Sequence, residues 1–323
     1  MSQKKSPIIR VESLRLRKVK AAWRIFLMPI IGASTTVFYS IVFGVSLLNV
    51  VVFVGMYILV TIGLEVGFHR LFAHRAFSTT KTIELILWGF GMMAAQAKGI
   101  YWISTHLSHH SNSDTHDDPH SPLRRTTVGG EKEELSLLAG LWHAHQGNTM
   151  TAYPTNVSRY ASRFISDPFF RDMDAKFPYW VALGVVIPGL IGLIFGGWQE
   201  GIACALWGGP MRIFAQHHAF FTNGSLAHRF GEQVFNTKDN SRNNWYCSYW
   251  TFGSALQNTH HAFANSAYLK LRWYESDIAG SVIKFLSFLG LAWNVKGINK
   301  TSAEAIVLPG KSELIDKLPE VDQ

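Results

Sequence analysis

The stretch IFLMPIIGASTTVFYSIVFGVSLLNVVVFVGMYILVTIGLEVGF, residues 25–68, contains one formally charged side chain, Glu65. As a helix, this stretch would be about 66 Å long, roughly twice the thickness of a bilayer hydrocarbon core of about 30 Å. We therefore expect it to cross a membrane twice, with a turn near residues 44–49. It is too long for a cleaved signal peptide, and it lacks a small-residue cleavage site.

Two further apolar stretches follow in the second half of the chain. Residues 177–199 are long enough to cross once, and residues 201–221 cross if Arg212 reaches the headgroup region with its long side chain. Residues 85–97 are too short to cross and favour a helix at the interface. The sequence thus predicts an all-α integral membrane protein with two helical hairpins. The four predicted transmembrane helices are residues 25–46, 48–68, 177–198 and 200–221.

Composition and charge distribution agree with a membrane protein. Of 323 residues, 48% are hydrophobic and 16% are charged, against about 25% charged in an average soluble domain. Two cysteines exclude a disulfide scaffold and a cysteine-based zinc module. Residues 1–24 hold eight Lys and Arg and one acid, Glu12, so the basic charge indicates a cytoplasmic flank that contacts anionic lipid rather than a nucleic-acid surface. We expect a basic arm (1–24), a membrane domain (25–300) and a polar tail (301–323), with both termini cytoplasmic.

The chain contains 14 histidines, and most of them lie in short clusters. With paired crossings, every cluster returns to the same side of the membrane. The spacing i, i+3, i+4 in HLSHH (106–110) places three imidazoles on one helical face. His69 and His74 are five residues apart and can share a site only where their helix ends or bends.

Imidazole is a ligand for iron, zinc, copper and nickel. Eight clustered histidines exceed the needs of one metal ion and indicate two. A zincin would need HExxH, which is absent, and a bis-histidine haem would use only two of these side chains. The clusters are HRLFAH (69–74), HLSHH (106–110), SLAH ending at His228, and QNTHH (257–261).

This ordered set of histidine motifs resembles the integral-membrane fatty acid desaturases. The similarity is to the acyl-CoA branch that includes stearoyl-CoA desaturase, especially its bacterial members, and covers about residues 30–297. Further matching stretches are GFHRLFAHRAF (67–77), DTHDDPHS (114–121), LWHAHQG (141–147), SRNNW (241–245) and HHAF (260–263).

The resemblance implies a site with two iron ions in a cytosolic helical cap. Such a site uses O₂ and two electrons to introduce a cis double bond into a long or medium acyl chain carried on CoA, acyl carrier protein or lipid. A ferredoxin or a cytochrome b5-type donor with its reductase would supply the electrons, and a bacterial inner membrane is the expected location. The implied metal ligands are His69, His74, His106, His109, His110, His228, His260 and His261.

The resemblance also assigns supporting roles around those ligands. A bent apolar tunnel would take the acyl chain, lined by residues such as Trp102, Trp142 and Phe220. Side chains expected to orient the ligands or water are His116, His120, His143, His145, Asp114, Asp117, Asp118, Glu65 and Asn223.

Three positions depart from the family pattern. Gln257 stands where the third histidine motif has another histidine, and it is a further candidate ligand through its amide oxygen. Gly224 stands where relatives have an asparagine, with Asn223 one place away, and Glu65 replaces a neutral residue four positions before His69. These changes leave two alternatives open: a related acyl oxidation (hydroxylation, terminal alkene or alkyne formation, or oxidative decarboxylation), or a desaturase-fold protein with little turnover.

Overall fold

A computed structural model describes residues 6–316 and 318, so parts of the predicted basic arm and polar tail lie outside the described residues. The fold is mostly helical. Its helices are α1 (Glu12–Phe43), α2 (Leu47–Ile62, continued as a π-helix over Gly63–Ala73), α3 (Lys81–Met92), α4 (Gly99–Asn112), α5 (Leu137–Trp142, continued as a π-helical turn over His143–Gly147), α6 (Asn148–Thr151), α7 (Val157–Tyr160), α8 (Ser162–Ser166), α9 (Pro168–Ala175), α10 (Phe177–Leu206, continued as a π-helical turn over Trp207–Met211), α11 (Arg212–Ser225, ending in a 3₁₀ turn Leu226–His228), α12 (Trp245–Ser248), α13 (Gln257–Ala262), α14 (Ile278–Phe288), α15 (Lys300–Glu304) and α16 (Glu313–Asp316).

The strands are short and pair in two antiparallel ribbons. Strand β1 (Ser78–Thr79) pairs with β4 (Ala292–Trp293), which joins the chain after α2 to the segment after α14. Strand β2 (Arg124–Thr126) pairs with β3 (Lys132–Glu134) as a hairpin between α4 and α5. Among the described residues, each ribbon is a sheet of two strands.

Three helical stretches are long and apolar enough to cross a membrane: Glu12–Phe43, Leu47–Ala73 and Phe177–His228. The third is interrupted at Gly197, whose φ of 78° is not helical. The chain folds back there, and the segments on either side of Gly197 lie close together. A Cβ on Gly192 would lie 2.4 Å from the Glu200 carbonyl oxygen, and one on Gly208 would lie 2.5 Å from Pro188. The outer faces of the three helical stretches expose large apolar side chains such as Ile41 and Phe195.

The two connecting turns lie at the same end of this helical bundle. Glu200 accepts hydrogen bonds from the Ser46 hydroxyl and, at 2.7 Å, from the Asn49 amide. Ser46 also caps the start of α2. The carboxyl ends of α2 and α11, which carry histidines, therefore lie at the opposite end.

Three details differ from the sequence-based expectations. Residues 12–24 of the predicted arm are the first turns of α1, and Lys18 donates to the carbonyls of Asn148 and Ala152 at 3.1 Å each. Arg212 does not reach toward headgroups: it is fully buried and donates to the carbonyls of Met93, Gly208 and Gly184. Unpaired buried charge is costly, so these carbonyls hold it in place. Part of the predicted polar tail is packed: Leu314, Ile315 and Leu318 are buried in one apolar cluster that includes Phe235.

The contact between α2 and α3 depends on glycine. A Cβ on Gly63 would lie 2.2 Å from the backbone nitrogen of Gly91 and 2.4 Å from the Phe90 carbonyl carbon, whereas a Cβ on Gly55 of the same helix would meet nothing within 4 Å. We expect Gly63→Ala to destabilise the protein by about 1–3 kcal/mol, because backbone cannot move aside as a side chain can. Gly55→Ala is the matched control. Thermal unfolding in detergent checks both, and equal midpoints would contradict the close packing.

Candidate metal centre

The eight predicted ligand histidines come together beyond the end of α2. Residues 63–73 form i→i+5 hydrogen bonds, and the His74 amide donates to the His69 carbonyl at 3.1 Å. Because i→i+5 hydrogen bonding widens each turn beyond that of an α-helix, His69 and His74 reach the same site, which an ideal α-helix would not allow. Helix α4 contributes His106, His109 and His110, and the remaining ligands follow on the α11 end and α13.

Five of these imidazoles form one group, which we call the five-histidine cluster: His69, His74, His106, His110 and His260. Their candidate ligand atoms all lie within 4.8 Å of one another. The Nε2 atoms of His69 and His260 are 2.9 Å apart, those of His74 and His106 are 2.6 Å apart, and those of His110 and His260 are 2.8 Å apart. So many converging imidazole nitrogens are suited to binding a transition metal.

The other three, His109, His228 and His261, form the three-histidine cluster. An aspartate accepts a hydrogen bond from Nδ1 of each ring: Asp118 and Asp114 at 3.0 Å for His109 and His228, and Asp239 at 2.5 Å for His261. This arrangement fixes the tautomer and leaves each Nε2 lone pair available to a metal. The Nε2 atoms of His228 and His261 are buried and have no hydrogen-bond partner in the described part of the chain. These unpaired acceptors fit a metal ion.

The protonation states of five of these imidazoles also suit metal binding. Burial lowers the pKa of His74, His106, His109, His110 and His260. These imidazoles are therefore neutral near pH 7, as ligation requires. Burial alone would raise the pKa of the Asp239 carboxyl, but the hydrogen bonds that it accepts from His261 and Ser241 lower the pKa below its usual value.

Glu65 lies directly against the five-histidine cluster. Its Oε2 accepts from His69 Nδ1 at 2.8 Å, and both side chains are 1% exposed. Gln257 is buried at the start of α13, and its amide N–H donates to the Ser254 carbonyl at 2.7 Å. Asn223 donates to the Ser254 hydroxyl at 2.9 Å.

The remaining predicted supporting residues separate into two groups. His120 stacks on His109 with ring centroids 4.3 Å apart, and its backbone N–H donates to Asp118. The others lie outside both clusters: His145 contacts His218 and Ser225, His116 is 3.4 Å from Glu134, His143 is buried beyond both clusters, and Asp117 is exposed.

Asp239 is the functional candidate that the sequence reasoning missed. It lies in the polar segment TKDNSRN (237–243), where its side chain also accepts from the backbone and hydroxyl of Ser241. Such a pattern is typical of an ordinary turn. Only its position two residues before the matching stretch SRNNW hinted at a role.

A cavity of about 200 Å³ adjoins both clusters. His69 and His106 line it from the five-histidine cluster, and His109 lines it from the three-histidine cluster. Trp102 and Phe220 contribute to the wall as expected. Trp142 does not: it is 58% exposed, because α5 presents that side chain to the surface. The remaining wall includes Tyr101, Phe221, Glu65, Asn223, Gly224 and Gln257.

Comparison with known proteins agrees with this geometry. Residues 45–280 match the family model for fatty acid desaturase. The chain is 38% identical over 271 residues to a hex-5-enoyl-[acyl-carrier protein] acetylenase of Moorena producens (strain JHB), covering 83% of each chain. It is 33% identical to an sn-1 stearoyl-lipid 9-desaturase of Anabaena variabilis, covering 74% of this chain and 80% of the relative.

A third relative comes from a plant. The chain is 31% identical to an acyl-CoA C20 Delta5-desaturase of Anemone leveillei, covering 72% of this chain and 69% of the relative. The resemblance drawn from the histidine motifs is thereby confirmed. The chain belongs to the fatty acid desaturase family, a family of oxidoreductases.

Proposed function

We propose that this protein is a membrane-bound acyl desaturase that holds two iron ions and introduces a cis double bond into a medium or long acyl chain. The observation that carries the proposal is one apolar-walled cavity in contact with two adjoining groups of converging imidazoles. When bound, the two irons would supply the O₂-dependent, two-electron chemistry that removes two hydrogens from an unactivated chain and forms water.

The protein's own residues would bind the iron ions and orient the acyl chain. The five-histidine cluster would hold one iron and the three-histidine cluster the other, and Gln257 on the cavity wall is a further candidate ligand. Asp114, Asp118 and Asp239 keep their imidazole partners in one tautomer. The cavity would position the acyl chain beside His69, His106 and His109.

We further propose that the helical stretches cross the membrane four times. The fold-back at Gly197 divides the third stretch, and the shared Glu200 contact places both hairpin turns at one end. The basic residues within 1–24 favour cytoplasmic termini, and the histidine clusters would then lie on the same side. The proposed layout keeps the arm at 1–24, the membrane domain at 25–300 and the tail at 301–323, in a bacterial inner membrane.

Substrate carrier and electron donor follow by analogy. The relatives are named for acyl-carrier-protein, acyl-CoA and lipid-linked substrates, and we propose one of these carriers here. A separate ferredoxin or cytochrome b5-type protein with its reductase would deliver the electrons.

The acyl composition of cells that express the protein tests the function. We expect a monounsaturated acid that is absent from cells expressing the His260→Ala variant. Double-bond position can be read from dimethyl disulfide adducts by mass spectrometry. An unchanged acyl profile with well-expressed, iron-loaded protein and a supplied electron donor would contradict the proposal.

A second candidate function is formation of an acetylenic bond. The 38% identity to an acetylenase favours it. Feeding a terminally unsaturated acyl chain distinguishes the two: an alkyne product would support acetylenase activity, whereas a hydroxylated product would indicate the related oxidation instead.

Asp239 provides a prediction that sequence motifs alone did not suggest. We expect Asp239→Asn to weaken metal binding by about 10–100-fold, because His261 loses the carboxylate that sets its tautomer and orientation. Metal content after dialysis against graded chelator concentrations measures the effect. Asp117→Asn, an exposed change in the same type of polar loop, should leave metal content unchanged; equal retention in both variants would exclude the role of Asp239.

A further inference from the structure

A group of aromatic side chains lies on α12, on the residues that follow it and on the turn before α14. The group has six rings, which we call the aromatic surface: Trp245, Tyr246, Tyr249, Trp250, Trp273 and Tyr274. Ring contacts join Tyr246 to Trp250 at 5.3 Å and Trp245 to Tyr274 at 6.0 Å between centroids. All but Tyr274 are exposed, Trp273 by 88%. A contiguous exposed patch of this kind is typical of an interaction surface.

Helix α14 carries a second exposed apolar face next to the aromatic surface. Its Ala279 and Ile283 are buried, whereas Phe285 and Phe288 face outward, Phe288 with 85% of its surface exposed. The Ala279 amide donates to the Phe252 carbonyl at 3.1 Å, which ties α14 to the segment that follows α12.

The exposed charges in this region are positive. Between residues 245 and 293 the acidic side chains are Glu275 and Asp277, and both are buried. Lys270 and Lys284 are exposed. Exposed cations without exposed acids favour an anionic partner, such as the headgroups of a cytoplasmic lipid leaflet.

Both elements adjoin α2. The Tyr57 hydroxyl of α2 donates to the Trp250 carbonyl at 2.8 Å, and α14 packs against the π-helical end of α2. Tyr57 is about 15 Å along α2 from Leu47, roughly half of a hydrocarbon core of about 30 Å. A membrane that α2 crosses from Leu47 onward would therefore reach the aromatic surface.

We infer, on the basis of the membrane crossing in the proposed function, that the aromatic surface and α14 lie in the headgroup region of the bilayer and bind its lipid. Trp and Tyr suit this position, because an apolar ring and a polar group share one side chain. The partner is lipid because the surface is continuous with the outer face of α2, where Val54 and Ile58 are exposed. The cap that holds the histidine clusters thus has a membrane contact of its own, besides the crossing helices.

Fluorescence quenching tests this inference without measuring turnover. The full-length protein, in nanodiscs of phosphatidylcholine and phosphatidylglycerol that hold one copy each, carries an environment-sensitive dye at Trp273→Cys or Phe288→Cys. Both positions are so exposed that the change removes little packing. Iodide quenches dyes in water, and lipids with a nitroxide on the acyl chain quench dyes in the bilayer. Both native cysteines are buried, so the unmodified protein gives the labelling background.

Two further labels calibrate the measurement. Val54→Cys reports the lipid-facing side of α2, and Glu131→Cys reports water, because it is exposed in the charged turn between β2 and β3. We expect iodide to quench the dyes at 273 and 288 several-fold less than the dye at 131. We expect the nitroxide lipids to quench them nearly as strongly as the dye at 54.

The outcomes separate this inference from the proposed function. Strong iodide quenching at 273 and 288, with lipid quenching retained at 54, would overturn the inference and leave the membrane crossing intact. Protection of both positions from both quenchers would also overturn it, since protein rather than lipid would then cover the surface. Strong iodide quenching at 54 would contradict the membrane crossing itself.

Discussion

Replacing His260 with alanine is expected to lower product formation by at least about 100-fold. His260 Nε2 lies 2.9 Å from His69 Nε2 and 2.8 Å from His110 Nε2, so it is central to the five-histidine cluster. Loss of a partner that merely hydrogen-bonds to a ligand costs about 10–100-fold, and loss of the ligand itself should exceed that. Metal analysis of purified protein should show about one iron fewer per chain.

His116→Ala is the matched control for that experiment. His116 belongs to the same histidine-rich sequence but lies near Glu134, outside both clusters. We expect full metal content and nearly unchanged product formation. If His260→Ala retained both irons and its activity, the five-histidine cluster would not be the metal site.

Replacing Asp277 with alanine is expected to lower the free energy of unfolding by about 3–5 kcal/mol. Asp277 accepts from the Arg70 guanidinium at 2.6 Å, and the two side chains are 5% and 2% exposed. It also accepts from the backbone N–H groups of Leu269 and Gly280. Removing one partner of a buried ion pair leaves the other charge uncompensated, and this unpaired charge carries the cost.

This ion pair also bears on the metal site, because Arg70 directly follows His69. We therefore expect Asp277→Ala to reduce metal retention as well as stability. Thermal unfolding in detergent and metal analysis check the two effects. Asp172→Ala, which breaks an exposed pair with Lys176, should change stability by less than about 1 kcal/mol; a similar loss in both variants would contradict a special role for the buried pair.

The structure modifies the chemical picture that the motifs implied. Two of the departures, Gln257 and Gly224, line the cavity to which His69, His106 and His109 also contribute. The third departure, Glu65, accepts a hydrogen bond from His69 of the five-histidine cluster. Glu65 thus contacts one cluster directly, whereas Gln257 and Gly224 lie on the cavity wall, a distinction that spacing along the chain could not give.

Several features could be predicted because they depend on local composition or spacing. Residues 25–68 contain one charged side chain, so this stretch is suited to the bilayer interior. Backbone groups there must be hydrogen-bonded within the protein, as they are in a helix, and the structure forms α1 and α2 in this stretch. The i, i+3, i+4 spacing in α4 placed three imidazoles on one face, and all eight predicted ligands converged. The motif set identified the family without any knowledge of the fold.

Other features depend on contacts between distant segments. Asp239 meets His261, Arg212 is held by the carbonyl of Met93, and the chain near Leu314 packs on Phe235. Each partner is remote in sequence, so no local pattern marks it. Trp142 shows that a local pattern can also mislead. Its position next to a histidine motif suggested a place in the cavity wall, but α5 presents its side chain to the surface.

The sequence by itself determined the membrane-type helices, the family and which histidines are candidate metal ligands, because hydropathy and residue spacing act within a single segment. Only the tertiary structure divided those ligands into groups of five and three and showed which aspartate holds which ring. It also placed Gln257 and Gly224 on the wall of one cavity. Such groupings depend on how helices pack against one another, and that packing arises from the summed contacts of the whole chain.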